Sequence, residues 1–78
     1  MTKKTISIGD LAMLISERLA KTGVCPLGFP VAVVPTAARP GDWLAVVSHK
    51  DRIRHPKCAQ RLIAIEREMR KLYLLQPD

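Results

Sequence analysis

At 78 residues the chain has room for one domain, because two would each fall near the lower size limit of independent folding. An apolar fraction of 47% argues against wholesale disorder, and no apolar run approaches the ~20 residues that span a bilayer. Lys plus Arg is 13 against 7 for Asp plus Glu, so the net charge of +6 favours anionic partners such as phosphates and acidic proteins.

A chain of this size buries only ~60% of the surface its unfolded form exposes, and self-association is a cheap way to bury more. Phe29, Trp43 and Tyr73 are the whole aromatic inventory, so the core must be largely aliphatic. Lys3 and Lys4 precede a stretch broken by Gly9, Asp10, Glu17 and Arg18, which is not the uninterrupted apolar segment of a secretory signal. Two cysteines imply no disulfide framework, so free thiols in a reduced, cytoplasmic setting are expected.

In chain order, Ser7 is placed to cap a helix, with Asp10 three residues on in the position of a capping box. Ile8, Leu11, Ala12, Ile15 and Leu19 then share one face at helical spacing, while Asp10, Glu17 and Lys21 lie opposite. Gly23 follows where a left-handed residue closes a helix, which predicts a helix over residues 8 to 21. Pro26, Pro30, Pro35 and Pro40 break helical structure through the next segment. Between and after them, residues 31–34 and 43–48 are rich in β-branched side chains and read as strands. The turn at Pro40, Gly41 and Asp42 makes them an antiparallel hairpin.

From His49 to Arg54 the chain is polar, basic and without an assigned element. His55 and Pro56 then mark a helix entrance, since proline is tolerated at the first helical position, and this helix is expected to run from residue 56 to about 74. The predicted architecture is α+β: one domain over residues 1–78, helix-strand-strand-helix, with both helices covering the hairpin and with flexible ends at 1–6 and 76–78.

Three constellations bear on function. The first is the stripe Cys58, Leu62, Ile65, Met69 and Leu72, at spacings of 4, 3, 4 and 3. It spans only two heptads, short of a stable coiled coil, so it serves first as core and second as interface. Ile63 and Leu74 lie off the stripe and add apolar surface. Leu62, Ile63, Ile65, Met69, Leu72 and Leu74 are therefore the candidate contacts with a second copy or another protein partner.

The second is Cys25, His49, His55 and Cys58. A tetrahedral zinc site takes ligand pairs from tight knuckles, and this spacing offers none, so no metal and no cofactor are expected. His55 and Cys58 could stand one turn apart, but no third group orients them. Glu66 and Glu68 project ~160° apart on a helix and cannot share a substrate. They are expected to pair with Arg70 and Lys71. The glycines form no phosphate-binding fingerprint, and no enzymatic activity is expected.

The third is the basic entrance to the last helix. Residues 50–61 hold five cations against the single anion Asp51. Arg52, Arg54, Lys57 and Arg61 cluster at a helix N-terminus, where backbone amides already attract phosphate. No aromatic ladder accompanies them, and no second helix is expected at a short turn before this one, as helix-turn-helix binding requires. The leading expectation is a non-catalytic interaction or accessory protein that self-associates. The alternative is a module that grips a nucleic-acid backbone through residues 50–61, and neither reading involves a membrane.

Overall fold

The computed structural model describes residues 3–26 and 28–76. Seven elements follow one another: β1 (Lys4–Ile6), α1 (Ile8–Lys21), β2 (Ala32–Pro35), β3 (Trp43–Val46), α2 (His49–Arg54), α3 (Pro56–Leu72) and β4 (Tyr73–Leu75). The fold is α+β, with an antiparallel hairpin at its centre.

α1 begins and ends as its sequence requires. The Ser7 hydroxyl accepts the Asp10 amide at 3.2 Å, satisfying one of the donors a helix start leaves unpaired. Gly23 lies beyond the last turn at φ +75, a conformation that costs little only without a Cβ. The face carrying Leu11, Ile15 and Leu19 is fully buried, each side chain contributing roughly 1.5–3 kcal/mol by leaving water. Ile8, expected on that face, is exposed at the helix entrance.

β2 and β3 pair antiparallel, with Val33 opposite Ala45, Val34 opposite Leu44 and Pro35 opposite Trp43. α1 packs on β2, α3 on β3, and the two helices on each other. Trp43 and Val33 point inward to meet Leu11, Ile15, Leu19, Phe29, Leu62, Ile65 and Met69 in one core cluster. Trp43 has no solvent exposure, and its indole N–H donates to the Tyr73 carbonyl at 3.3 Å. A buried indole needs such a partner.

Four features depart from the sequence reading. Residues 49–54, without an element in the sequence reading, form α2, because Ser48 caps its start with Asp51 three residues on. The Ser48 hydroxyl accepts the Asp51 amide at 3.2 Å and donates to the Asp51 carboxylate at 2.7 Å. α3 stops at Leu72 rather than near 74, because Tyr73 turns to an extended backbone and starts β4.

β4 pairs in parallel with β1, placing Lys4 opposite Tyr73, Thr5 opposite Leu74 and Ile6 opposite Leu75. Part of the segment expected to be flexible is thus a strand, and Gln76 donates its amide to the Ile6 carbonyl at 2.9 Å. Lys3 is exposed and precedes β1, and residues 1–2 and 77–78 lie outside the described residues.

The fourth departure is covalent. Cys25 and Cys58, 33 residues apart, are joined by a disulfide with their Cα atoms 5.0 Å apart. Cys58 was expected as a free thiol acting as a small apolar residue. It is fully buried, but its sulfur is bonded. No spacing rule pairs two cysteines at this distance. They meet because α1 and α3 pack together, carrying the loop after α1 onto the first turn of α3.

Candidate functional site

The basic segment is built on a corner between two helices. α2 ends at His55, whose backbone (φ −130, ψ 66) leaves the helical region, as a residue before proline is pushed to do. Pro56 then opens α3 directly, so one residue separates the helices. This corrects the expectation that no helix precedes α3 at a short turn. α2 has only 6 residues, and the single-residue corner is tighter than a helix-turn-helix link of three to four. The corner is tied down from both sides: His55 donates its amide to the Asp51 carbonyl at 2.9 Å, and Ala59 donates to the His55 carbonyl at 3.0 Å. The His55 ring is tilted against Phe29, centroids 5.9 Å apart, and the Cys58 bond anchors the first turn of α3.

Lys50, Arg52 and Arg54 on α2, with Lys57 and Arg61 on α3, are all exposed. Among the described residues the ion pairs are Arg18–Glu68 at 3.2 Å, Arg70–Asp42 at 2.9 Å and Arg70–Glu66 at 3.9 Å, and none involves these five cations. The stripe continues along α3. With ~100° per residue, Lys57, Arg61 and Lys71 fall within a sector of about 80°, and Arg67 lies about 40° further round. From Lys57 to Lys71 the row is about 21 Å long at 1.5 Å per residue. Glu68 is the acid in this sector, and Arg18 of α1 neutralises it. Arg67 was not singled out from sequence, and Lys71 only as an ion-pair partner of the α3 glutamates, although their helical spacing from Lys57 and Arg61 was there to be read.

Asp42 and the two glutamates of α3 are committed to structure. Asp42 accepts two hydrogen bonds from the Arg70 guanidinium, at 2.9 and 3.1 Å, and one from the Thr36 hydroxyl at 3.1 Å. The Arg70 bond is the chief reason its carboxyl is held below the ordinary value of 3.8, against the opposing effect of burial. Glu66 pairs with Arg70 as expected, and it also accepts the Ala45 amide at 2.9 Å, capping a donor on the open edge of β3. Glu68 turns to Arg18 rather than to Lys71, because α1 lies alongside α3. Both sulfurs of the Cys and His constellation are bonded to each other, and His49 is exposed at the start of α2. Among the described residues no three His, Cys, Asp or Glu side chains converge as metal ligands would.

The candidate interface residues divide. Leu62, Ile65 and Met69 are buried in the core, Leu74 is half-buried in β4, and Ile63 and Leu72 are exposed at 55% and 47%. Ile63 and Leu72 are nine residues apart, which sets them about 180° apart around α3. They cannot share one contact along this helix.

Among the described residues no helix is long and apolar enough to cross a membrane. No known protein family, no curated protein and no solved structure matches this chain.

Proposed function

We propose that the chain is a small non-catalytic interaction module that binds the phosphate backbone of nucleic acid through the corner of α2 and α3. One observation carries this reading. Asp42, Glu66 and Glu68 are paired with arginines elsewhere in the fold, while Lys50, Arg52, Arg54, Lys57 and Arg61 project outward with no acidic partner among the described residues. A row of cations about 21 Å long suits a regularly charged polymer better than a compact ligand. Base reading is not favoured, because the exposed side of α3 offers Gln60 as its one amide side chain, and Trp43 and Phe29 are buried.

The reading keeps the expected cytoplasmic setting, where a nucleic-acid partner is met. Thiol reductants there hold most cysteines reduced, so the Cys25–Cys58 bond would be conditional on the redox state.

The test is the affinity for a duplex oligonucleotide over a series of salt concentrations. Binding should weaken linearly in log–log form, with a slope of roughly −0.9 per phosphate neutralised. Changing Arg54, Lys57 and Arg61 together to Ala should reduce that slope by about 1 per residue and weaken binding by tenfold or more. No binding of duplex or single strand at low salt overturns the reading. Equal binding to polyglutamate would reassign the corner to an acidic protein partner.

A further inference from the structure

A second group of cations lies at the other end of α3, where the fold draws three distant segments around one recess. Lys3 precedes β1, Arg39 belongs to the turn between β2 and β3, and Arg70 and Lys71 lie in the last turn of α3. All four line a recess of about 730 Å³, with Pro40 and Leu74 as its apolar wall. Lys3, Arg39 and Lys71 are exposed, and none makes an ion pair among the described residues. Asp42 is the one acid in the lining, and Arg70 already holds it.

The walls of this recess are fixed by backbone hydrogen bonds. Asp42 donates its amide to the Arg39 carbonyl at 3.1 Å, and Leu75 donates to the Gly41 carbonyl at 2.9 Å, which ties the turn carrying Arg39 to β4. β4 pairs with β1, which fixes the backbone beside Lys3. The Arg70 guanidinium is pinned through Nη2, which makes both bonds to Asp42. Its Nη1 stands 3.9 Å from Glu66, too far for a hydrogen bond, so a positioned guanidinium keeps unused donors at the recess.

We propose that this recess binds a phosphate monoester, with Lys3, Arg39, Arg70 and Lys71 as donors to its dianionic head. Three unpaired cations drawn together from separate segments repel one another, and a doubly charged anion offsets that repulsion. A tetrahedral phosphate accepts hydrogen bonds from donors on several sides, and guanidinium groups match its geometry in pairs. The corner of α2 and α3 presents its cations along an outward row, which suits a polymer. Here they surround a concavity, which suits a compact group. The recess falls within the roughly 300–1,000 Å³ of ligand pockets, so an organic substituent has room against Pro40 and Leu74. Such a monoester has two sources. One is a phosphorylated small molecule. The other is the terminal phosphate of a nucleic-acid strand lying along α3, since the cationic row that starts at Lys57 ends at Lys71 in this recess.

The deciding measurement is an amide NMR titration of the full chain with phenyl phosphate at low salt, beside inorganic phosphate and benzoate. Saturable shifts are expected at residues 3–6, 39–42 and 70–75, with phenyl phosphate binding more tightly than inorganic phosphate and benzoate far more weakly than either. Arg39→Ala and Lys71→Ala should each weaken binding roughly tenfold, as the loss of a charge-assisted hydrogen bond does. Neither residue makes an ion pair among the described residues, so both variants should keep the wild-type circular dichroism. Arg54→Ala with Lys57→Ala, at the far end of α3, should leave the affinity within about twofold. Shifts that stay linear with concentration overturn the proposal. So do shifts that fall mainly on residues 50–61, an affinity indifferent to Arg39→Ala and Lys71→Ala, or benzoate binding as tightly as phenyl phosphate. An oligonucleotide with a terminal phosphate that outbinds the same strand ending in hydroxyls, with the gain lost in Arg39→Ala, assigns the monoester to a strand end. Saturable phenyl phosphate binding without that gain assigns it to a phosphorylated small molecule. If neither oligonucleotide binds, the nucleic-acid reading fails, and the phenyl phosphate titration still decides this site.

Discussion

The two ends of α3 are stabilised in opposite ways. At its C-terminal end charge is turned inward: Arg70 holds Asp42 and Glu66, and Trp43 binds the Tyr73 carbonyl. There the chain continues into β4 and pairs with β1, while the Leu75 amide donates to the Gly41 carbonyl at 2.9 Å. Gly41 sits at φ +80, and a Cβ there would come within 3.1 Å of Leu74, so any other residue would strain the turn and push the last strand. At its N-terminal end a disulfide, a proline and aromatic packing of His55 hold the backbone, and the cations take no part. Where covalent and apolar contacts hold the helix, its charges are free for an outside partner. Where charges hold it, they are not.

This contrast can be broken by substitution, beginning with the largest effect. Trp43→Ala removes the largest fully buried side chain, at the C-terminal end. It should cost about 3–5 kcal/mol, enough to unfold much of so small a domain, as read by thermal unfolding followed by circular dichroism. Reduction of Cys25–Cys58 should cost roughly 3–4 kcal/mol by releasing the entropy of a loop of 33 residues. An unchanged melting temperature in dithiothreitol would show that apolar packing alone holds the N-terminal end.

Arg70→Ala should cost about 1 kcal/mol, since the guanidinium is partly exposed. The same pair gives a pH signature. Asp42 has a lowered pKa when folded, so its contribution is complete above the ordinary value of 3.8 and is lost as pH falls below it toward the folded value. Acid unfolding of the wild type should therefore steepen below 3.8, and that component should shrink in Arg70→Ala, which leaves only the Thr36 and Trp43 hydrogen bonds to lower the pKa. The smallest effect belongs to the cationic corner. Changing Arg54, Lys57 and Arg61 to Ala should move stability by less than about 0.5 kcal/mol, because none makes an ion pair among the described residues. A large loss there would make the corner structural and collapse the contrast between the ends.

The two serine caps show how far local reading reaches. Ser7 with Asp10 and Ser48 with Asp51 are the same signature, and both start helices. The first was legible because an amphipathic face follows it. The second was not, because α2 is short and has no buried residue to carry the period. The cationic cluster could be read from composition alone. Its outward presentation on a corner could not, because that depends on where the acids go, and Glu68 goes to Arg18 across 50 residues of sequence.

Sequence alone determined α1, the hairpin, the start of α3 at Pro56 and the burial of Leu62, Ile65 and Met69, since caps, prolines and periodicity act over a few residues. Only the tertiary structure decided the parallel pairing of β1 with β4, the Cys25–Cys58 bond and the capping of Ala45 by Glu66. Those contacts join distant segments. Their formation depends on α1 and α3 closing over the hairpin, which no local pattern encodes.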